Sequence, residues 1–283
     1  MNRRTFLAVA GACAAGIATR TAAAPEQGFT LVLGGGGCRA HGHVGVIRVL
    51  ERSGLRPSLI VGTSAGSLVG ALYAAGLSAD QLERQGHNLA ADSLRDWRFP
   101  GLGLFGGDAI RRFVVARVGP VSIESLPTRF VAVATDLKSG ELRAFDRGDL
   151  AQAVQASSSV PGLIEPVRIG GRLYVDGSLV SPVPVGVARR YAANPVVAVD
   201  VSFPPEEAEL DGAYDALYQA FSILTRRLAL EERAKADVLI APRIPVHNDM
   251  KPATLKALVD SGERAAADAL PRLQALLGSA KVK

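Results

Sequence analysis

The segment Val61-Gly62-Thr63-Ser64-Ala65-Gly66-Ser67 constrains the fold of this chain most strongly. It reads G-x-S-x-G, a turn in which a buried strand breaks sharply into a helix and leaves a serine at the tip. The apolar run Leu59-Ile60-Val61 before it suits the strand, and Ser67 to Ala75 after it suits a buried helix. Gly62 and Gly66 lack Cβ atoms, so strand and helix can approach closely. The helix N-terminus behind Ser64 favours negative charge near its first amides. Five-residue matches also arise by chance in a chain with 30 glycines. The flanking strand and helix are what raise this one above chance.

A second glycine-rich turn precedes it. Phe29 to Leu33 reads as a strand, Gly34-Gly35-Gly36-Gly37-Cys38-Arg39-Ala40 as a loop, and about His43 to Ser53 as a helix. Backbone amides at such a helix start can hold an anion. Gly35, Gly37 and Ala40 fit the dinucleotide pattern G-x-G-x-x-G/A. Against that reading, the next strand runs into the serine turn and carries no acidic residue at its end. The loop is not a P-loop either, because no Gly-Lys-Ser/Thr follows. A purely structural turn accounts poorly for four glycines in a row, which are entropically costly and imply close approach of backbone to something. With Ser64 on the neighbouring strand, an oxyanion hole is the favoured reading.

The rest of the chain alternates strands and helices, which predicts a three-layer α/β/α domain with a mainly parallel central sheet. Helices are expected from Ser78 to about Leu89 and, capped by Asp108, to about Val118. Between them lies the apolar, glycine-rich stretch 98–107, either a mobile flap at a lipid-facing mouth or a loop tucked on the core. Strands are expected at Phe130–Asp136, Glu141–Phe145 and Pro195–Val201, with Asp149 opening a helix between the second and third. Val167–Ile169 and Arg172–Val175 flank a Gly170-Gly171 turn and form a hairpin that delivers Asp176. A helix covers Val183 to Tyr191. A long helix from Leu210 to about Ala236 carries Tyr214, Leu217, Phe221, Leu224 and Leu228 at helical spacing, a stripe expected to pack on the core. Val238-Leu239-Ile240 is the last strand, and Pro252 to Leu277 the last helix.

Ser64 needs a base. The chain has four histidines, His41, His43, His87 and His247. Ser64, Asp176 and His247 would follow the order of a Ser-Asp-His carboxylesterase. However, such folds place several strands before the serine, and only one precedes it here. Asp176 is the stronger partner, since it ends a strand and Gly177 allows a tight turn behind it. A free aspartate with a pKa of about 3.9 is a weak base, and burial beside apolar strand ends would strengthen it. The bland alternative is that Asp176-Gly177 only closes a hairpin.

Gly35-Gly36-Gly37-Cys38-Arg39-Ala40, Gly62-Thr63-Ser64-Ala65-Gly66 and Asp176-Gly177-Ser178, in this order and spacing, resemble the patatin-like phospholipases. The likeness covers roughly residues 29–201 and includes Ala156-Ser157-Ser158-Ser159-Val160-Pro161, similar to that family's Ala-Ser-x-x-x-Pro segment. Ala40 and Ser178 depart from the usual small residues there, but both remain small. The resemblance implies Ser64 as nucleophile and Asp176 as its proton acceptor, a dyad without histidine. It implies an oxyanion hole from the loop Gly35, Gly36, Gly37 and Cys38, with Arg39 holding that loop and Gly62, Gly66 and Gly177 in support. The expected activity is hydrolysis of lipid acyl esters, of the phospholipase A or lysophospholipase kind, with no metal or other cofactor. The expected partners are the lipid substrate and peripherally a membrane. The alternative from another class is a non-catalytic phosphate- or lipid-binding module.

The first 24 residues read as an export signal. A basic start with Arg3-Arg4-Thr5-Phe6-Leu7 resembles a twin-arginine pattern. An apolar stretch too short to span a bilayer follows, then Ala22-Ala23-Ala24 as a cleavage region. A lipoprotein anchored at Cys13 is the alternative. Loss of this segment removes three arginines and no acid, so the net charge falls from +5 to +2. The basic pI is therefore no sign of nucleic-acid binding. Only Cys38 then remains, and no internal disulfide can form. Residues 25–283 are expected to form one catalytic domain.

Overall fold

The computed structural model describes residues 28–87, 101–202, 210–243 and 251–280. The expected export segment, the stretch 88–100 and His247 lie outside the described residues. Five strands run parallel in the order β10-β9-β1-β2-β4: Val238–Ile240, Val196–Val199, Thr30–Leu33, Leu59–Thr63 and Arg129–Asp136. Three antiparallel strands join at β4: β5 (Leu142–Phe145) directly, and β8 (Arg172–Asp176) with β7 (Val167–Ile169) beyond it. β9, β1, β2 and the middle of β4 are largely apolar runs buried on both faces, while edge strand β10 leaves Leu239 exposed.

Side chains alternate across the sheet and form two cores. Leu31, Leu33, Ile60, Ala132 and Val199 pack against α1 (His41–Arg52), α2 (Ala65–Ala74), α3 (Ala79–His87), α4 (Asp108–Val118), α5 (Leu150–Ser157) and α8 (Pro252–Ala280). Val32, Leu59, Val61, Val131 and Val133 pack against α6 (Val185–Tyr191) and Ala229 of α7 (Ala213–Arg233). This is the expected three-layer α/β/α arrangement with a mainly parallel sheet.

Two local expectations are corrected, and one alternative left open by the sequence is decided. Asp108 does not cap α4. It is the first helical residue, and the cap position is Gly107, in the left-handed conformation at φ 76°. Within the glycine-rich stretch 98–107, residues 103–105 form β3, paired in parallel with β6 (Gly162–Ile164), and Phe105 is buried. That part is tucked down rather than free.

The largest correction concerns α7. Leu217 and Leu224, expected to face the core, are 53 % and 64 % exposed, and Ile223 is 54 % exposed. Phe221 and Leu228 are half-buried, and the side chain of Tyr214 lies outside the described residues. Polar groups take much of the inward face. Arg233 and Arg226 reach Asp200 at 2.8 and 3.5 Å, and Glu232 turns in beside them. Asp200 is buried at the end of β9, and a buried carboxylate without a partner is far more costly than an exposed leucine. Pairing the charge therefore decides how the helix is rotated.

Candidate active site

Ser64 is the single non-glycine among the described residues with positive φ, at 54°. Its ψ is −128°, outside the populated regions, so the turn holds it in strain. Close packing allows no alternative path. A Cβ on Gly66 would lie 2.2 Å from the Leu33 carbonyl, and one on Gly62 would lie 2.6 Å from the Gly66 carbonyl. The Ser64 amide donates to Ser157 Oγ at 3.0 Å, and that hydroxyl donates to the Val133 carbonyl at 2.6 Å. The end of α5 thus ties the turn to β4.

The Ser64 hydroxyl donates to Asp176 Oδ2 at 2.6 Å. The second carboxylate oxygen, Oδ1, accepts the Ser178 amide at 2.8 Å. The strand end is fixed from both sides: the Asp176 amide donates to Ser159 O, and Thr135 donates to Asp176 O. A Cβ on Gly177 would meet the Val133 carbonyl at 2.2 Å, so only glycine lets the turn sit against β4. Asp176 is 0 % exposed. Burial pushes its carboxyl up to about 6, opposed by the hydrogen bonds from Ser64 and Ser178.

The glycine loop sits across from this pair, and one expected donor drops out. The Gly35 amide donates to Pro182 O at 2.9 Å, so it is spent. Gly35 serves by its size instead: a Cβ there would lie 2.5 Å from Ser178 Oγ and 3.3 Å from Ser64 Cβ. The amides of Gly36 and Gly37 have no hydrogen-bond partner among the described residues. Both residues line one cavity with Cys38 and Ser64. Arg39 is buried in the 3-10 turn behind them, and its amide donates to Gly36 O. The cavity holds about 500 Å³. Its walls are mostly apolar, including Val44, Leu68, Leu72, Leu82, Ile110 and Phe113, and Asp215 and Tyr218 of α7 also line it. Among the described residues no group of three His, Cys, Asp or Glu side chains could hold a metal ion.

A family model described as patatin-like phospholipase matches residues 31–189, more than half of the chain. This chain belongs to the patatin-like phospholipase family. An uncharacterized NTE family protein of Mycobacterium tuberculosis is 35 % identical over 188 residues, covering 65 % of this chain and 52 % of that protein. Patatin-like phospholipase domain-containing protein 6 of Homo sapiens is 32 % identical over 208 residues, 71 % of this chain and 15 % of that protein. The patatin-like chain thus spans about half the length of the mycobacterial relative and a small part of the human one. The crystal structure of VipD from Legionella pneumophila shares the fold, with a TM-score of 0.57 over 90 % of this chain and 67 % of that one at 16 % identity.

In this patatin-like fold neither His41 nor His43 makes a hydrogen bond to Ser64. His43 is fully buried, its Nε2–H donates to Gly34 O at 2.8 Å, and burial lowers its pKa to about 4. It is a neutral prop under the glycine loop. His41 Nδ1 lies 2.8 Å from Cys38 O. The side chain of His87 and all of His247 lie outside the described residues. Sequence reasoning picks out the Ala-Ser-x-x-x-Pro segment without finding a task for Ser157. It misses His43 as a loop support, because a histidine at a helix start carries no signal of what lies beneath it.

Proposed function

We propose that this chain is an exported serine hydrolase of lipid acyl esters, working through Ser64 and Asp176. One observation carries the reading: a strained serine on the wall of an apolar cavity donates at 2.6 Å to a sealed carboxylate behind it. Asp176 takes the Ser64 proton as Oγ attacks the ester carbonyl. The Gly36 and Gly37 amides receive the developing oxyanion, where one donor typically contributes about 10²–10³ in rate. Collapse expels the alcohol, which takes the proton from Asp176 and leaves acyl-Ser64. Asp176 then takes a proton from water as the hydroxide attacks the acyl carbonyl. The second collapse frees the acid and returns the proton to Ser64. Residues 25–283 act as one catalytic domain after loss of residues 1–24, and the arginine pair and small-residue cleavage region of the sequence support export.

A fluorophosphonate probe tests this directly. The protein is expected to label at Ser64, and a Ser64→Ala variant is not. Full activity in His247→Ala is expected too, and its loss would point to a Ser-Asp-His enzyme. The cavity size and lining favour a single long acyl chain. At about 0.8 kcal/mol per buried methylene, kcat/KM should rise roughly 10²-fold from p-nitrophenyl butyrate to octanoate. Equal rates on the two esters would count against an acyl cavity.

The leucines on the outside of α7 support peripheral contact with a lipid surface, because Asp215 and Tyr218 of the same helix line the cavity wall. Leu217→Glu with Leu224→Glu should weaken cosedimentation with phosphatidylcholine–phosphatidylglycerol vesicles at least about tenfold. Hydrolysis of a soluble butyrate ester should stay unchanged. Unaltered vesicle binding would remove α7 from that role.

A further inference from the structure

We infer that Glu232, on the inward face of α7, is a positioning residue that holds the serine turn and the glycine loop in register with each other. The inference rests on the ester-hydrolase reading for its catalytic consequence, and on geometry alone for the clamp itself. Glu232 grips the short segment Ser181-Pro182-Val183 at both ends. Its Oε1 accepts the Ser181 hydroxyl at 2.5 Å and its Oε2 accepts the Val183 amide at 3.0 Å. Ser181, Pro182 and Val183 are buried.

That segment is where three parts of the site meet. The Ser181 carbonyl accepts the hydroxyl of Thr63, the residue before Ser64, at 2.8 Å. The Pro182 carbonyl accepts the Gly35 amide at 2.9 Å, next to the two unpaired amides. The Ser181 amide donates to Gly177 O at 2.9 Å, one residue past Asp176. The glycine loop and the immediate chain neighbours of nucleophile and acid are therefore each hydrogen-bonded to the segment that Glu232 grips. Charge-assisted bonds of this kind are about twice as strong as neutral ones, and a carboxylate that accepts at both oxygens fixes orientation as well as distance. Burial pushes the Glu232 carboxyl up to about 7. The residue lies beyond the stretch 31–189 that the family model matches.

Ground-state binding in the apolar cavity does not involve this segment, so loosening it should act on the chemical step rather than on substrate affinity. Glu232→Gln keeps the shape but offers one acceptor to two donors. At pH 8.5, where the wild-type carboxyl is ionised, kcat on p-nitrophenyl octanoate should fall about tenfold or more, with KM within twofold. Hydrogen exchange of peptides holding Gly35 and Thr63 should rise about tenfold, while peptides from α8 keep wild-type protection. Ser181→Ala removes one of the two bonds and should move both readouts the same way by about threefold, which covers a Glu232→Gln chain that does not fold. Wild-type exchange at Gly35 in the folded variant overturns the clamp, and raised exchange with unchanged kcat overturns its positioning role in the reaction. Raised exchange in a protein whose wild type neither hydrolyses esters nor takes the phosphonate label leaves the clamp in place and refutes the hydrolase reading instead.

Discussion

Ser64→Ala and Asp176→Asn are each expected to lower kcat/KM on an octanoate ester by about 10⁴-fold or more, since in a two-member dyad neither partner has a substitute. The two variants differ elsewhere. Wild-type kcat/KM should rise with pH and reach half its plateau near the pKa of free Asp176, raised by burial to about 6. The same shift predicts stability. An unfolded aspartate titrates near 3.9, so the folded chain holds this proton more tightly than the unfolded chain does. The stabilisation is fully present below about pH 4 and is lost as pH rises through about 6. At pH 8 the buried carboxylate then costs about 2–3 kcal/mol. A carboxamide in its place carries no charge, so Asp176→Asn should raise Tm by about 5 °C at pH 8 and leave it unchanged at pH 4. An inactive variant that is more stable in alkali and no more stable in acid is the signature of a base kept buried for its chemistry. Activity surviving in either variant ends the dyad assignment.

Gly66→Ala should be among the most damaging small substitutions in the described residues. The new Cβ would lie 2.2 Å from the Leu33 carbonyl and 2.5 Å from the Gly34 carbonyl. Both are backbone atoms at the end of β1, and neither can yield without moving the central strand or the start of α2. A loss above about 4 kcal/mol is expected, a fall of about 10 °C or more in Tm, with much of the protein insoluble. Gly186→Ala on α6 is the control. No atom lies within 4 Å of its Cβ position and its φ is not positive, so Tm should hold or rise slightly. Equal melting of the two variants would mean that the turn and the glycine loop are not packed as described.

The serine turn was legible because its signals are local: an apolar run, two glycines that only close packing requires, and a helix start. Asp176 was legible for a similar reason, since the Gly170-Gly171 turn sets the hairpin and the hairpin fixes where the strand ends. What failed to show was non-local. β3 and β6 are three residues each and pair across nearly sixty positions, too short for any period to register. The spending of the Gly35 amide depends on Pro182, nearly 150 residues away. On α7 the leucine spacing pointed to a core-facing stripe. The rotation was set by Asp200, Ser181 and Val183, whose polar groups had to be met from that side. Hydrophobic periodicity weighs apolar residues alone and is blind to such needs.

The backbone at residue 64 sets its hydroxyl at the cavity wall in hydrogen-bond contact with the Asp176 carboxylate. On the proposed reading, the dyad is already in register for attack. If that dyad is the catalyst, discrimination between lipids falls to admission: which acyl chains fit the passage walled by Phe105 and by Asp215 and Tyr218 of α7.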